Sequence, residues 1–132
     1  MRVCFVIKGL GPGGAERLLV ETATPLVRNG VQTSVVYALD DKQHLSEALT
    51  AAGVDVECLS VRRLADVRWV WRLVAAVRAA RPDVVHVHSP ALAPLVRFGA
   101  RLRLFGRPRP SIVSTEHNAW STYHVITRVT TW

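Results

Sequence analysis

The sequence has little cysteine. Its 132 residues hold two, Cys4 and Cys58, with no Cys-x-x-Cys and no Cys/His pair at zinc-finger spacing. Each lies in an apolar stretch, so both read as small buried hydrophobes and not as a disulfide framework. Long hydrophobic runs are also missing; none approaches the ~20 residues of a membrane span. The apolar run at residues 3–7 is too short for a signal-peptide core, and Lys8-Gly9 does not suit a cleavage site. These absences predict a soluble, unprocessed chain in the cytoplasm. There is no internal repeat and no low-complexity linker, which predicts one domain of ordinary size.

Acidic residues are scarce in one part of the chain. Residues 61–110 hold eleven arginines against Asp66 and Asp83, a balance of +9. Residues 1–60 hold five basic and seven acidic side chains, a balance of −2. Such asymmetry points to an anionic partner: a membrane surface, a phosphate-bearing ligand or nucleic acid. Solvated helix faces are the plainer alternative. No nucleic-acid reading motif accompanies the arginines. Arg68 and Arg72 stand one helical turn apart around Trp69 and Trp71, which suits a membrane interface, with at least one tryptophan in the core. Arg97, Arg101, Arg103, Arg107 and Arg109 form a second basic cluster.

What is present is apolar strand pattern alternating with amphipathic helix pattern. With 49% apolar and 20% charged residues, the composition is globular and not disordered. Strands are predicted at residues 2–8, 31–39, 54–61, 83–88 and 111–116. Helices are predicted at 15–28, 44–52, 66–80 and 91–105, the third capped by Asp66. Gly30 and Gly53 occupy helix-stop positions, and Pro25 conflicts with the first helix. The alternation predicts an α/β fold: a Rossmann-like parallel sheet with helices on both faces. Ligands bind such sheets at the carboxyl ends of the strands.

Three segments there carry polar chemistry. Gly9, Gly11 and Gly14 match G-x-G-x-x-G between a strand and a helix, where backbone amides can approach a phosphate. With Asp40 or Asp41 as the ribose-binding acid, this would be a dinucleotide site. Pro12 and the distance from Gly9 to the acid count against it. A tight turn that merely needs glycine is the structural alternative. His86 and His88 share one face of the fourth strand; His86 reads as a core histidine, His88 as functional. As a metal pair they would need Glu116 and His117. Thr115-Glu116-His117-Asn118 puts polar groups at the same end of the sheet, and Glu116 could pair with His88 in acid–base chemistry.

Four segments in order resemble the N-terminal domain of the family 4 glycosyltransferases, which have the GT-B fold. They are Gly13-Gly14-Ala15-Glu16-Arg17, then Leu26 to Val36, then Arg81 to Pro90, then Ser114-Thr115-Glu116-His117-Asn118. The resemblance covers almost the whole chain. It implies one half of a two-domain cleft that moves a sugar from a nucleotide-diphosphate sugar to an acceptor, with retention, without a metal and without a further cofactor. It implies that Gly13 and Gly14 approach the donor diphosphate and that His88 and Glu116 are catalytic. Glu16, Ser89, His117 and Asn118 would lie on the acceptor side. The acceptor would be a sugar, a lipid or a polysaccharide precursor, and the Arg/Trp stretch would touch the inner face of a membrane. The remaining strands and the donor-binding domain with its carboxylate motif are absent from residues 1–132. The resemblance therefore implies a fragment that is inactive alone.

Overall fold

The computed structural model of the chain describes residues 1–61 and 67–115. Strands and helices alternate along it as β1 (Arg2–Ile7), α1 (Gly14–Arg28), β2 (Gln32–Tyr37), α2 (Ser46–Ala51), β3 (Asp55–Cys58), α3 (Arg68–Ala80), β4 (Val84–Val87), α4 (Ala93–Arg101) and β5 (Ser111–Ser114). The strands form one parallel sheet in the order β3-β2-β1-β4-β5. This is the Rossmann-like α/β architecture predicted from the alternation. Asp66, the predicted cap of the third helix, lies outside the described residues.

β1 is central because its sequence suits burial on both faces. Val3, Phe5 and Ile7 pack with Leu19 and Ala23 of α1 and Leu49 of α2. Cys4 and Val6 pack with Trp69, Leu73 and Val77 of α3 and with Val96 and Ala100 of α4. Period-two alternation thus sends neighbouring residues of one strand into separate cores. Cys58 packs against the first core and Cys4 lies in the second. The sheet separates the two thiols, so neither serves the other as a disulfide partner. Burial pushes the Cys4 thiol up to about 11, which keeps it protonated and unreactive.

Helix ends account for the element boundaries. α1 begins at Gly14 and runs through Pro25, which faces solvent, where water can serve the carbonyl that loses its amide partner. It stops in a Schellman motif: Gly30 has φ 75°, its amide donates to Val27 O at 2.9 Å, and the Val31 amide donates to Leu26 O at 3.0 Å. Gly53 closes α2 in the same way, through Thr50 O and Leu49 O. The helix predicted over 91–105 is shorter. It ends at Arg101, because Arg103 takes φ 58° and Leu104 donates back to Gly99 O at 2.9 Å. Phe105 then folds back against α4 and is buried there. The strand predicted over 54–61 likewise ends at Cys58, where Ser60 turns with φ 49°.

Gly99 is the seat for Phe105. A Cβ at Gly99 would meet the ring Cζ at 2.8 Å, inside any real contact distance. Overpacking of this kind costs about 1–3 kcal/mol, against about 1 kcal/mol that Ala gains over Gly in a helix. Gly99→Ala is therefore expected to lower stability by about 1 kcal/mol, read as a lower urea midpoint; an unchanged or higher midpoint would contradict the packing.

At the amino end of the sheet, the Arg2 amide donates to Asp83 Oδ2 at 2.7 Å, and the Arg2 guanidinium lies 3.6 Å from Oδ1. The amide hydrogen bond, helped by the guanidinium charge, holds the Asp83 carboxyl below its ordinary value of 3.8. A depressed carboxyl stabilises the fold above its unfolded-state value, and that contribution fades as pH falls through the folded value. Thermal melts from neutral pH down to about pH 2 should show Asp83→Asn losing less stability than the parent across the acid range. Parallel acid profiles would remove Asp83 from the acid response.

Candidate functional site

The loops leaving β1 and β4 start side by side and run to opposite faces of the sheet. β1 continues into α1 on one face; β4 continues into α4 on the other. This is the switch point at which open α/β sheets bind ligands. The His88 amide donates to Val6 O at 2.9 Å, which sets His88 directly beside the end of β1.

The glycines of the first loop divide by role. A Cβ on Gly9 would lie 2.9 Å from Lys42 Cβ, so Gly9 is needed for packing against the loop that leaves β2. That loop is fastened across: Leu10 donates to Lys42 O at 2.6 Å, and Leu45 donates to Leu10 O at 3.1 Å. The Lys42 side chain then covers Gly9 and Gly11. In a dinucleotide site, this is the ground between the ends of β1 and β2 that the ribose would occupy, so the geometry disfavours that alternative. Asp40 and Asp41 sit in this fastened loop. Lys42 carried no signal in the sequence; only the packing reveals its part.

Gly13 and Gly14 lie on the open side. Gly13 is the N-cap of α1, and no side chain caps the helix. A Cβ on Gly13 would collide with the Glu16 carboxylate, which folds back over the helix start. A Cβ on Gly14 would meet nothing within 4 Å. Packing among the described residues therefore does not require glycine at 14. The Glu16 carboxylate itself lies at the positive end of the helix, so a second anion reaching the first-turn amides of α1 would have to displace it. Gly14→Ala is expected to leave the melting temperature unchanged or slightly raised, whereas Gly9→Ala should lower it. Calorimetry of the two variants separates a packing glycine from one kept open for another reason; equal losses would contradict this division.

His86 and His88 share a face of the sheet, as their spacing predicts. Their ring centroids are 4.2 Å apart, and each also stacks obliquely near Phe5, at 5.3 Å for His86 and 5.7 Å for His88. His86 is half-buried, with Nε2 2.7 Å from Thr115 Oγ1. His88 is 5% exposed and closes the end of β4. Ser89 is buried, and its carbonyl accepts from Leu92 at 3.0 Å and Ala93 at 3.1 Å, starting the turn into α4. Among the described residues no cluster of three metal-ligating side chains exists, so His86 and His88 have no third ligand there. Nearby, burial and a hydrogen bond with Cys58 push the Tyr37 phenol up to about 12, so it stays protonated. Glu116, His117 and Asn118 lie outside the described residues. The structure thus brings Gly13, Gly14, Glu16, His88 and Ser89 to one end of the sheet. The Phe5 shelf beneath the histidines and the Thr115 partner emerge only from strand register.

The sequence signature of Glycosyltransferase Family 4 matches residues 12–131. The chain belongs to this family. It is a glycosyltransferase-type domain, and its fold is that of one half of a GT-B enzyme. The crystal structure of Anabaena HepE in complex with UDP and glucose superposes with a TM-score of 0.68 at 17% identity, over 96% of this chain and 33% of that one. The HepE complex with UDP alone gives a TM-score of 0.67 at 18% identity, over 98% and 34%. At this identity the shared property is the fold. The chain spans about a third of the length of HepE. No curated protein sequence matches it.

Proposed function

We propose that this chain forms the acceptor side of the cleft of a retaining glycosyltransferase. The donor is a nucleotide-diphosphate sugar, and a second α/β domain supplies the nucleotide site. The acceptor is a sugar, a lipid or a polysaccharide precursor, met at the inner face of a membrane. The observation that carries the reading is that α1 starts at Gly13 and Gly14 with no side-chain cap hydrogen bond, at the same end of the sheet as His88, in a family 4 domain. HepE, which has this fold, holds UDP and glucose.

The chemistry follows from charge. As the bond from sugar to diphosphate breaks, negative charge grows on the leaving phosphate. Amides at a helix N-terminus point at that charge and stabilise it without reorganising. Bare backbone at Gly14 allows the phosphate close approach. His88, enclosed against His86 and Phe5, has a fixed ring orientation from which to hydrogen-bond the transferred sugar. Glu116 acts as the acid–base partner of His88. Glu16, Ser89, His117 and Asn118 shape the acceptor side. The reading needs no metal, because amides meet the developing charge.

Incubated with nucleotide sugars and acceptor, the 132-residue chain alone should give no transfer. Joined to a family 4 donor domain it should turn over, and His88→Ala should lower kcat by about 10²–10⁴-fold. Transfer by the isolated chain, or full activity after His88→Ala, would overturn this assignment. Saturable binding of NAD(P) by the isolated chain would favour the dinucleotide reading instead.

A further inference from the structure

The amino end of the sheet, at the far end from His88, gathers guanidinium groups. A recess of about 240 Å3 opens there between the end of α3, the starts of β1 and β4, and the segment before β5. Arg2, Arg78, Arg81 and Arg107 line it, and among the described residues Asp83 is its one carboxylate. Asp83 is already engaged by both the amide and the guanidinium of Arg2. Arg78, Arg81 and Arg107 form no ion pair among the described residues. Three like charges therefore converge from the end of α3 and from the segment before β5 with no counter-charge between them. Charges gathered in this way repel, so the arrangement lowers stability unless an anion joins it.

Backbone bonds fix the frame of the recess. The Asp83 amide donates to Arg2 O at 2.9 Å and the Ser111 amide donates to Asp83 O at 2.9 Å, which ties the starts of β1, β4 and β5 together. Phe105, buried against Gly99, anchors the segment that carries Arg107. Arg81 ends α3 in the left-handed conformation, φ 44°, where glycine is the favoured residue. Arginine there costs some helix-end stability and puts its side chain at the recess. Residues 61–110 hold eleven arginines, and only the fold brings those at 78, 81 and 107 to one place.

We propose that this recess binds a small soluble anion carrying one or two phosphate groups. Size decides against a larger ligand. Pockets for drug-sized molecules run from about 300 to 1,000 Å3, so a phosphate or pyrophosphate fits inside this one and a whole nucleotide does not. Guanidinium forks match phosphate oxygens two bonds at a time. Nucleic acid suits the place less: duplex charges run along a line, one per about 1.7 Å of axis, whereas these arginines share one recess. The anion would enter at the opposite end of the sheet from Gly14 and His88, so the site does not depend on the transferase reading.

The test is calorimetric titration of the 132-residue chain with inorganic pyrophosphate, at an ionic strength held constant with sodium chloride. Saturable binding at one site is expected. Arg78→Ala/Arg107→Ala should weaken it on the order of tenfold, the scale of two exposed charge pairs. Asp83→Asn, which releases the Arg2 guanidinium, should tighten it about threefold. Arg81→Gly should raise the melting temperature while weakening binding, an outcome that misfolding cannot produce. Binding that is unchanged in the arginine variants and tighter in Glu16→Gln would place the anion at the start of α1 and overturn the assignment. No saturable binding by the parent chain would overturn it too. So would duplex DNA, or a phosphatidylglycerol vesicle, held through the same arginines while pyrophosphate is not.

Discussion

The double-sided pairing of β1 is the constraint on which the rest depends. Its backbone bonds to β2 along one edge and to β4 along the other, and its side chains are buried above and below. A strand in that position has no surface on which to place a polar side chain, which is why Arg2–Ile7 is apolar from Val3 onward. Because chain growth reverses direction at β1, the crossovers lie on opposite faces. The same reversal opens a crevice beyond the carboxyl ends of β1 and β4. Core, sheet order and the place of the site are consequences of one buried strand.

The crevice is asymmetric. Towards β2 it is closed by backbone bonds between Leu10, Lys42 and Leu45. Towards β4 no such backbone bonds fasten it among the described residues; the start of α1 and His88 both lie at this end of the sheet. Glycines in one short loop therefore do different things. Gly9 lets two loops touch, whereas Gly14 leaves backbone bare where none of the described residues approaches it. The site reading gains from that contrast, since a turn that merely needed glycine would show the first behaviour throughout.

The charge asymmetry of the sequence also finds a place in the fold. The arginines between residues 61 and 110 belong mostly to α3, α4 and their connections, on the layer opposite α1 and α2. Among the described residues, the one ion pair formed is between Arg2 and Asp83, at the amino end of the sheet. Acidic residues cluster instead in the first sixty residues. The two layers thus face solvent with different charge, and the basic layer also exposes Trp71, Phe98 and Leu102.

Much of this was legible in the sequence. Apolar runs of period two alternating with runs of period 3.6 determined the α/β class, because each period fits one kind of backbone with one buried face. Gly30 and Gly53 marked helix ends, because a left-handed residue there is cheapest without a Cβ. His86 and His88 had to share a face, because side chains two apart on a strand do. Tertiary structure decided the remainder, because it depends on atoms distant along the chain. Phe105 folding onto Gly99 ended α4 early, and Lys42 closed the β2 side of the glycine loop. Strand register placed Phe5 beneath both histidines and Thr115 against His86. Which tryptophan was buried followed from the orientation of α3 against the sheet: neighbouring residues on a helix lie on different sides, and only packing chooses the side that faces inward.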